Sequence, residues 1–109
     1  MPTIPVKLRH ERTLYEIAHI IDGIVGIKRP KYKPFCSHGI LGLEYGLEVE
    51  SRGRGYIIYL DRHDSKKLSD SGGLFAIDKF RTKKFIILSD SLSEDTINKI
   101  KEELYRKSY

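Results

Sequence analysis

Several carboxylates and a histidine crowd one short stretch of this chain. Glu44, Glu48 and Glu50 stand two or four residues apart, and Asp61 and His63 follow shortly after. Residues two apart on a strand point to the same side. The intervening Arg52-Gly53-Arg54-Gly55 supplies the glycines of a tight hairpin. With the turn at Gly53–Arg54, Val49 faces Ile58 and Leu47 faces Leu60 on one side of the sheet. The other side then pairs Glu50 with Ile57, Glu48 with Tyr59, Gly46 with Asp61, and Glu44 with His63.

Oxygen ligands gathered this way suit Mg2+ or Mn2+, and a metal so held activates water. Glu48 and Asp61 are the first ligands on that reading, Glu44 and His63 the next, with His63 as ligand or general base. Lys66 or Lys67 would stabilise developing charge. The chemistry is that of a metal-dependent nuclease or phosphodiesterase. Against it, the Glu-x-Lys or Asp-x-Asp pattern common in such enzymes is missing, and glutamate is ordinary on a solvated sheet face. The solvated face is the weightier reading, and whether the chain is an enzyme stays open.

Cations form the second constellation. Lys28, Arg29, Lys31 and Lys33 are interleaved with Tyr32 and Phe35. Cations hold phosphates, and aromatic rings stack on bases. Arg52 and Arg54 stand on the hairpin tip, placed to lie along a phosphate backbone. Lys66, Lys67, Arg81, Lys83 and Lys84 occupy other polar connections. The competing reading is that lysine-rich loops serve solubility.

The remaining single residues carry less. His38 lies two residues from Cys36, yet one Cys-x-His does not make a zinc site. A lone cysteine also excludes a disulfide framework within the chain. Cys36 reads as a small apolar residue rather than a nucleophile.

Charge and composition agree with an anionic partner. The chain has 109 residues and a formal net charge of +5. Residues 1–35 hold seven Lys/Arg against three Asp/Glu, residues 36–64 three against five, and residues 65–109 ten against seven. The middle is acidic and the flanks are basic, which favours a polyanion reached through the flanks. There is no Gln, one Asn, one Cys and one Met beside abundant Lys, Arg and Glu. That is a thermophile pattern, pointing to a hot-growing archaeal microbe or its virus. The apolar runs are short and the N-terminus lacks a signal-peptide stretch, so no membrane partner and a cytoplasmic location are expected.

The elements that must position these residues follow from periodicity. Length implies a single domain over 1–109. Residues 3–8 alternate weakly, and Pro5 suits an edge strand. Residues 13–25 carry Leu14, Ile17, Ala18, Ile21, Ile24 and Val25 at helical spacing, with Gly26 as a stop. Residues 28–38 contain two prolines and read as a loop. Residues 40–51 alternate cleanly as a strand, and residues 56–62 return as its hairpin partner. Residues 63–73 are polar and loop-like, and residues 74–80 and 84–88 read as two further strands. A last helix starts at Ser91 with Glu94 completing a capping box, or at Ser93 with Leu92 stapled onto Ile97.

The fold class expected is α+β. It has two layers, a mostly antiparallel sheet of four to five strands in the order strand, helix, four strands, helix, and two helices on one face. Residues 56–60 and 85–88 are apolar on both sides, which a half-exposed strand should not be. A homodimer through the outer sheet face explains them, and so does a loop shielding that face. The leading expectation is a small basic nucleic-acid-binding protein of a thermophile, working through its basic loops without a cofactor. The metal-dependent nuclease and a homodimeric protein-interaction module are the alternatives.

Overall fold

The computed structural model describes residues 3–39 and 42–107. Five strands form one antiparallel sheet, β1 (Thr3–Thr13), β2 (Lys31–Gly39), β3 (Gly42–Ser51), β4 (Arg54–Leu60) and β5 (Arg81–Leu88). Their order across the sheet is β1-β5-β4-β3-β2. Helix α1 (Leu14–Val25) follows β1, α2 (Arg62–Asp70) and a short 3-10 turn (Gly73–Ala76) follow β4, and α3 (Glu94–Lys107) follows β5. The class is α+β, as expected. The expected order of one strand, one helix, four strands and one helix also holds, with α2 inserted before the fourth of those strands. Ile40 and Leu41, read as the start of the β3 strand, lie outside the described residues.

Helix boundaries follow local chemistry. Thr13 caps α1, its hydroxyl accepting from Glu16 N at 3.1 Å while Glu16 Oε1 accepts from Thr13 N at 3.2 Å. Those bonds, with Arg81 and Arg12 nearby, hold the Glu16 carboxyl below its ordinary range. Gly26 ends the helix in the left-handed region at φ 74. Helix α3 starts from Ser93, whose hydroxyl accepts from Thr96 N at 3.1 Å. Of the two starts open from sequence, Ser93 is therefore the one used. Ser91 instead accepts from Gly55 N at 2.9 Å and ties the helix entry to β4.

One side of the sheet and the helices share a single core. Leu47 and Val49 of β3, Tyr56 and Ile58 of β4, Phe85 and Ile87 of β5, and Val6 of β1 are all buried there. Leu14, Ile17 and Ile21 of α1, Leu68 of α2, and Ile97, Ile100 and Leu104 of α3 close it from above. At ~25 cal/mol per Å² this apolar burial is the main stabilising term.

Three segments differ from their sequence expectation. Residues 28–38 are not a loop, because Lys31–Gly39 forms β2. It pairs with β3 alone at the sheet's edge, where Pro34's missing donor is tolerated. Residues 63–73 are mostly helix: Asp61 caps α2 by accepting from Asp64 N at 2.8 Å. Only one strong apolar residue, Leu68, points inward from that helix, so it shows no apolar stripe. Residues 74–80 are not a strand but the 3-10 turn and its exit, with Ile77 buried and Phe75 99% exposed.

The hairpin register also moves. Its turn is Arg52-Gly53, with Ser51 opposite Arg54, Val49 opposite Tyr56 and Leu47 opposite Ile58. Both turn residues have positive φ, 51 for Arg52 and 79 for Gly53, as a two-residue type I′ turn demands. Relative to the expected register, β4 is displaced by two residues. An even displacement keeps every side chain on its expected face.

Candidate nucleic-acid interface

The tip of the β3–β4 hairpin and the chain leaving α1 are fastened together. Ser51 Oγ donates to the Lys28 carbonyl at 2.7 Å, and Arg54 Nη2 donates to the Val25 carbonyl at 3.2 Å. The two segments enclose an open depression of about 450 Å³ lined by Gly26, Ile27, Lys28, Arg29, Ser51, Arg52 and Arg54. Four cations converge on it and no carboxylate lines it. None of the four belongs to an ion pair among the described residues. Arg29 joins Arg52 in having positive φ, at 53. Left-handed backbone at a residue with a Cβ costs about 1–2 kcal/mol. The φ of Arg52 is what its type I′ turn demands, which leaves Arg29 as the strained residue of the depression.

The other sequence-selected cations are dispersed. Lys31 lies opposite Glu50, and Lys33 opposite Glu48, on the sheet face away from the helices. Each therefore has an opposite charge across the ladder. Lys66 and Lys67 sit exposed on α2, at the far end of β4 from the hairpin tip, roughly 20 Å away at ~3.4 Å per residue. Lys83 and Lys84 are on β5, with Lys84 opposite Lys7. Ten residues selected from sequence thus resolve into one cluster of four and three separate pairs.

The carboxylate constellation comes apart in part. Glu44, Glu48 and Glu50 do share the open sheet face. Asp61 and His63 do not join them in the expected pairing, since Gly46 faces Tyr59 and β4 ends at Leu60. Asp61 caps α2, and His63 lies exposed in that helix's first turn. Among the described residues no three His, Cys, Asp or Glu side chains converge as a metal site.

The open face itself has a banded surface. Its central row runs Phe35, Gly46, Tyr59, Ile86 and Pro5 across the five strands. Phe35 and Tyr59 meet edge to face at 5.3 Å between ring centres. Burial, then the nearby Glu44 and Glu48 carboxylates, push the Tyr59 phenol above its ordinary pKa. Glu44, Glu48 and Glu50 share this face with Lys31, Lys33, Lys7 and Lys84, whereas the hairpin-tip depression is lined by cations without a carboxylate.

Sequence reasoning missed one polar centre entirely. Asp22 is buried on α1, accepting from Tyr32 Oη and Tyr56 Oη, each at 2.6 Å. Its signal was an acid at a stripe position, four residues after Ala18 and one after Ile21. No helix of the described residues is long and apolar enough to cross a membrane.

Comparison with known proteins adds no family. No protein-family model matches this chain, and neither a curated protein nor a solved structure does so.

Proposed function

We propose that this chain is a small nucleic-acid-binding protein of a thermophile's cytoplasm, which grips the phosphate backbone at the hairpin tip and acts as a homodimer. The observation that carries the reading is the convergence of Lys28, Arg29, Arg52 and Arg54 on one depression without a carboxylate. Four unpaired like charges held together repel one another, and an anion relieves that repulsion. Backbone contacts of this kind give affinity without strong sequence preference.

The test is fluorescence anisotropy with labelled duplex DNA, single-stranded DNA and RNA across a salt series. Binding should weaken steeply with salt, and Arg29→Ala with Arg52→Ala should flatten the dependence by about one counterion per lost contact. No binding at ~50 mM salt, or binding indifferent to salt, sinks the reading.

A further inference from the structure

On the sheet face away from the helices, the glutamates stand on β3, with Lys31 and Lys33 beside them on β2, and Lys7 and Lys84 lie across an apolar band on β1 and β5. One row above the central one runs Lys33, Glu48, Ile57, Leu88 and Thr3. One row below runs Ser37 and Glu44 on β2 and β3, then Lys84 and Lys7 on β5 and β1. Beside Lys7 and Lys84 lies an apolar depression of about 280 Å³ that also receives Pro5, Ile86, Asp61 and Lys101. Neither Glu44 nor Lys7 nor Lys84 has an ion-pair partner among the described residues. Between them, Ile57, Tyr59, Ile86 and Leu88 are only half-buried.

We infer that a second copy of this chain packs onto this face, about a two-fold axis parallel to the strands and running between β4 and β5. The inference deepens the homodimer named above by assigning its surface and its symmetry. The axis exchanges β4 with β5 and β3 with β1. Tyr59 then meets the partner's Ile86, and Ile57 meets the partner's Leu88. Glu44 arrives over the partner's Lys7 at the apolar depression. The apolar band covers itself, and the unpaired Glu44 and Lys7 find each other across the axis.

The other in-plane axis fails on charge. A two-fold axis perpendicular to the strands through the central row keeps each strand over its own copy. Glu44 would face the partner's Glu48, and Lys84 would lie on the partner's Leu88. Sheets packed face to face cross at about 30°, so the central pairs stay aligned while long lysine side chains bridge the outer ones. A polyanion is a poor occupant, because an apolar band crosses this face and Glu44, Glu48 and Glu50 stand among its lysines. A second copy supplies both the cations and the carboxylates that the face needs.

The experiment is analytical ultracentrifugation of the full chain from about 1 to about 100 µM, without nucleic acid, with circular dichroism confirming that each variant folds. A dimer is expected for the wild type. Glu44→Lys should raise its dissociation constant roughly tenfold or more, and adding Lys7→Glu to the same chain should recover most of the loss. Ile86→Asp should give a folded monomer. A wild type that stays monomeric overturns this geometry together with the homodimer. A dimer indifferent to Ile86→Asp and Glu44→Lys overturns the face while the homodimer stands. Weakening by Glu44→Lys without recovery by Lys7→Glu overturns the axis. The salt-dependent nucleic-acid assay is independent of all three outcomes.

Discussion

Tyr56 and Asp22 meet in the core at 2.6 Å, Oη to Oδ1, joining the middle of the sheet to helix α1. Tyr56 Oη also lies 3.0 Å from the Ala18 carbonyl, and Tyr32 Oη donates to the other Asp22 oxygen. The carboxylate is thus satisfied by two phenols from two different strands. A buried acceptor stripped of its donor keeps the full desolvation cost. Tyr56→Phe should therefore destabilise the fold by about 1–3 kcal/mol. Tyr32→Phe should cost less, since Tyr32 is only partly buried. Urea unfolding midpoints check the order, and equal losses would show that burial of the Tyr56 oxygen is not what matters.

The same two phenols set an alkaline limit. Burial first, and then the hydrogen bond to Asp22, push both tyrosines well above the ordinary value of 10.0. A raised folded pKa favours the neutral phenol, so its contribution is complete below about pH 10, the unfolded value, and is lost as pH rises beyond that. The double variant Tyr32→Phe/Tyr56→Phe should be less stable than wild type at about pH 8, and the gap should narrow above about pH 10. A gap that does not change with pH contradicts the assignment.

Arg52 separates binding from folding. Its φ of 51 is unfavourable for arginine and natural for asparagine in a type I′ turn. Arg52→Asn should leave stability unchanged or raise it by up to about 1 kcal/mol. It should nonetheless weaken nucleic-acid binding and reduce the salt slope by about one. Thermal unfolding and anisotropy together read both effects. Equal affinity with raised stability would remove Arg52 from the interface.

Gly46 is required by its neighbours. A Cβ there would stand 2.8 Å from the Phe35 ring, and closer still to the Ile58 carbonyl. The ring of Phe35 lies over the gap and reaches Tyr59. Gly46→Ala should cost about 1–3 kcal/mol through overpacking and backbone displacement. Combining it with Phe35→Leu should recover little, because the Ile58 carbonyl cannot move aside. Full recovery in the double variant would place the whole conflict on the ring.

Residue by residue, the sequence was legible where one period dominated. Alternation alone places Val49 and Leu47 inward and Glu48 outward, as the structure has them, although the turn lies one residue earlier than expected. The displacement of β4 by two preserves sidedness but moves the strand's end. For that reason Ile57 and Tyr59 kept their face while Asp61 and His63 left the sheet for α2. β2 was hidden by Pro30 and Pro34, which break a central strand and not an edge. α2 was hidden because its capping acid and its single inward leucine give no periodic apolar signal. Of the basic residues, Arg52 and Arg54 were recognisable from the glycines around them. Their meeting with Lys28 and Arg29 depends on hydrogen bonds from Ser51 and Arg54 to carbonyls far away in the chain.

The order β1-β5-β4-β3-β2 puts the first strand beside the last. Thr3 lies against Leu88 and Thr13 against Arg81, and β1 has no other neighbour in the sheet. The β2–β3–β4 meander zips through short connections, but β1 stays without a hydrogen-bonding partner until residues 81–88 exist and have docked. Helix α1 leaves directly from β1; it packs against α3 but is also tied to the meander by Asp22 with Tyr32 and Tyr56, so only part of its burial waits on the same late event. On a ribosome β1 is therefore made well before the one strand that pairs with it. Closing so long a loop slows folding, and it leaves the hydrogen-bonding edge of β1 unpaired until β5 has docked.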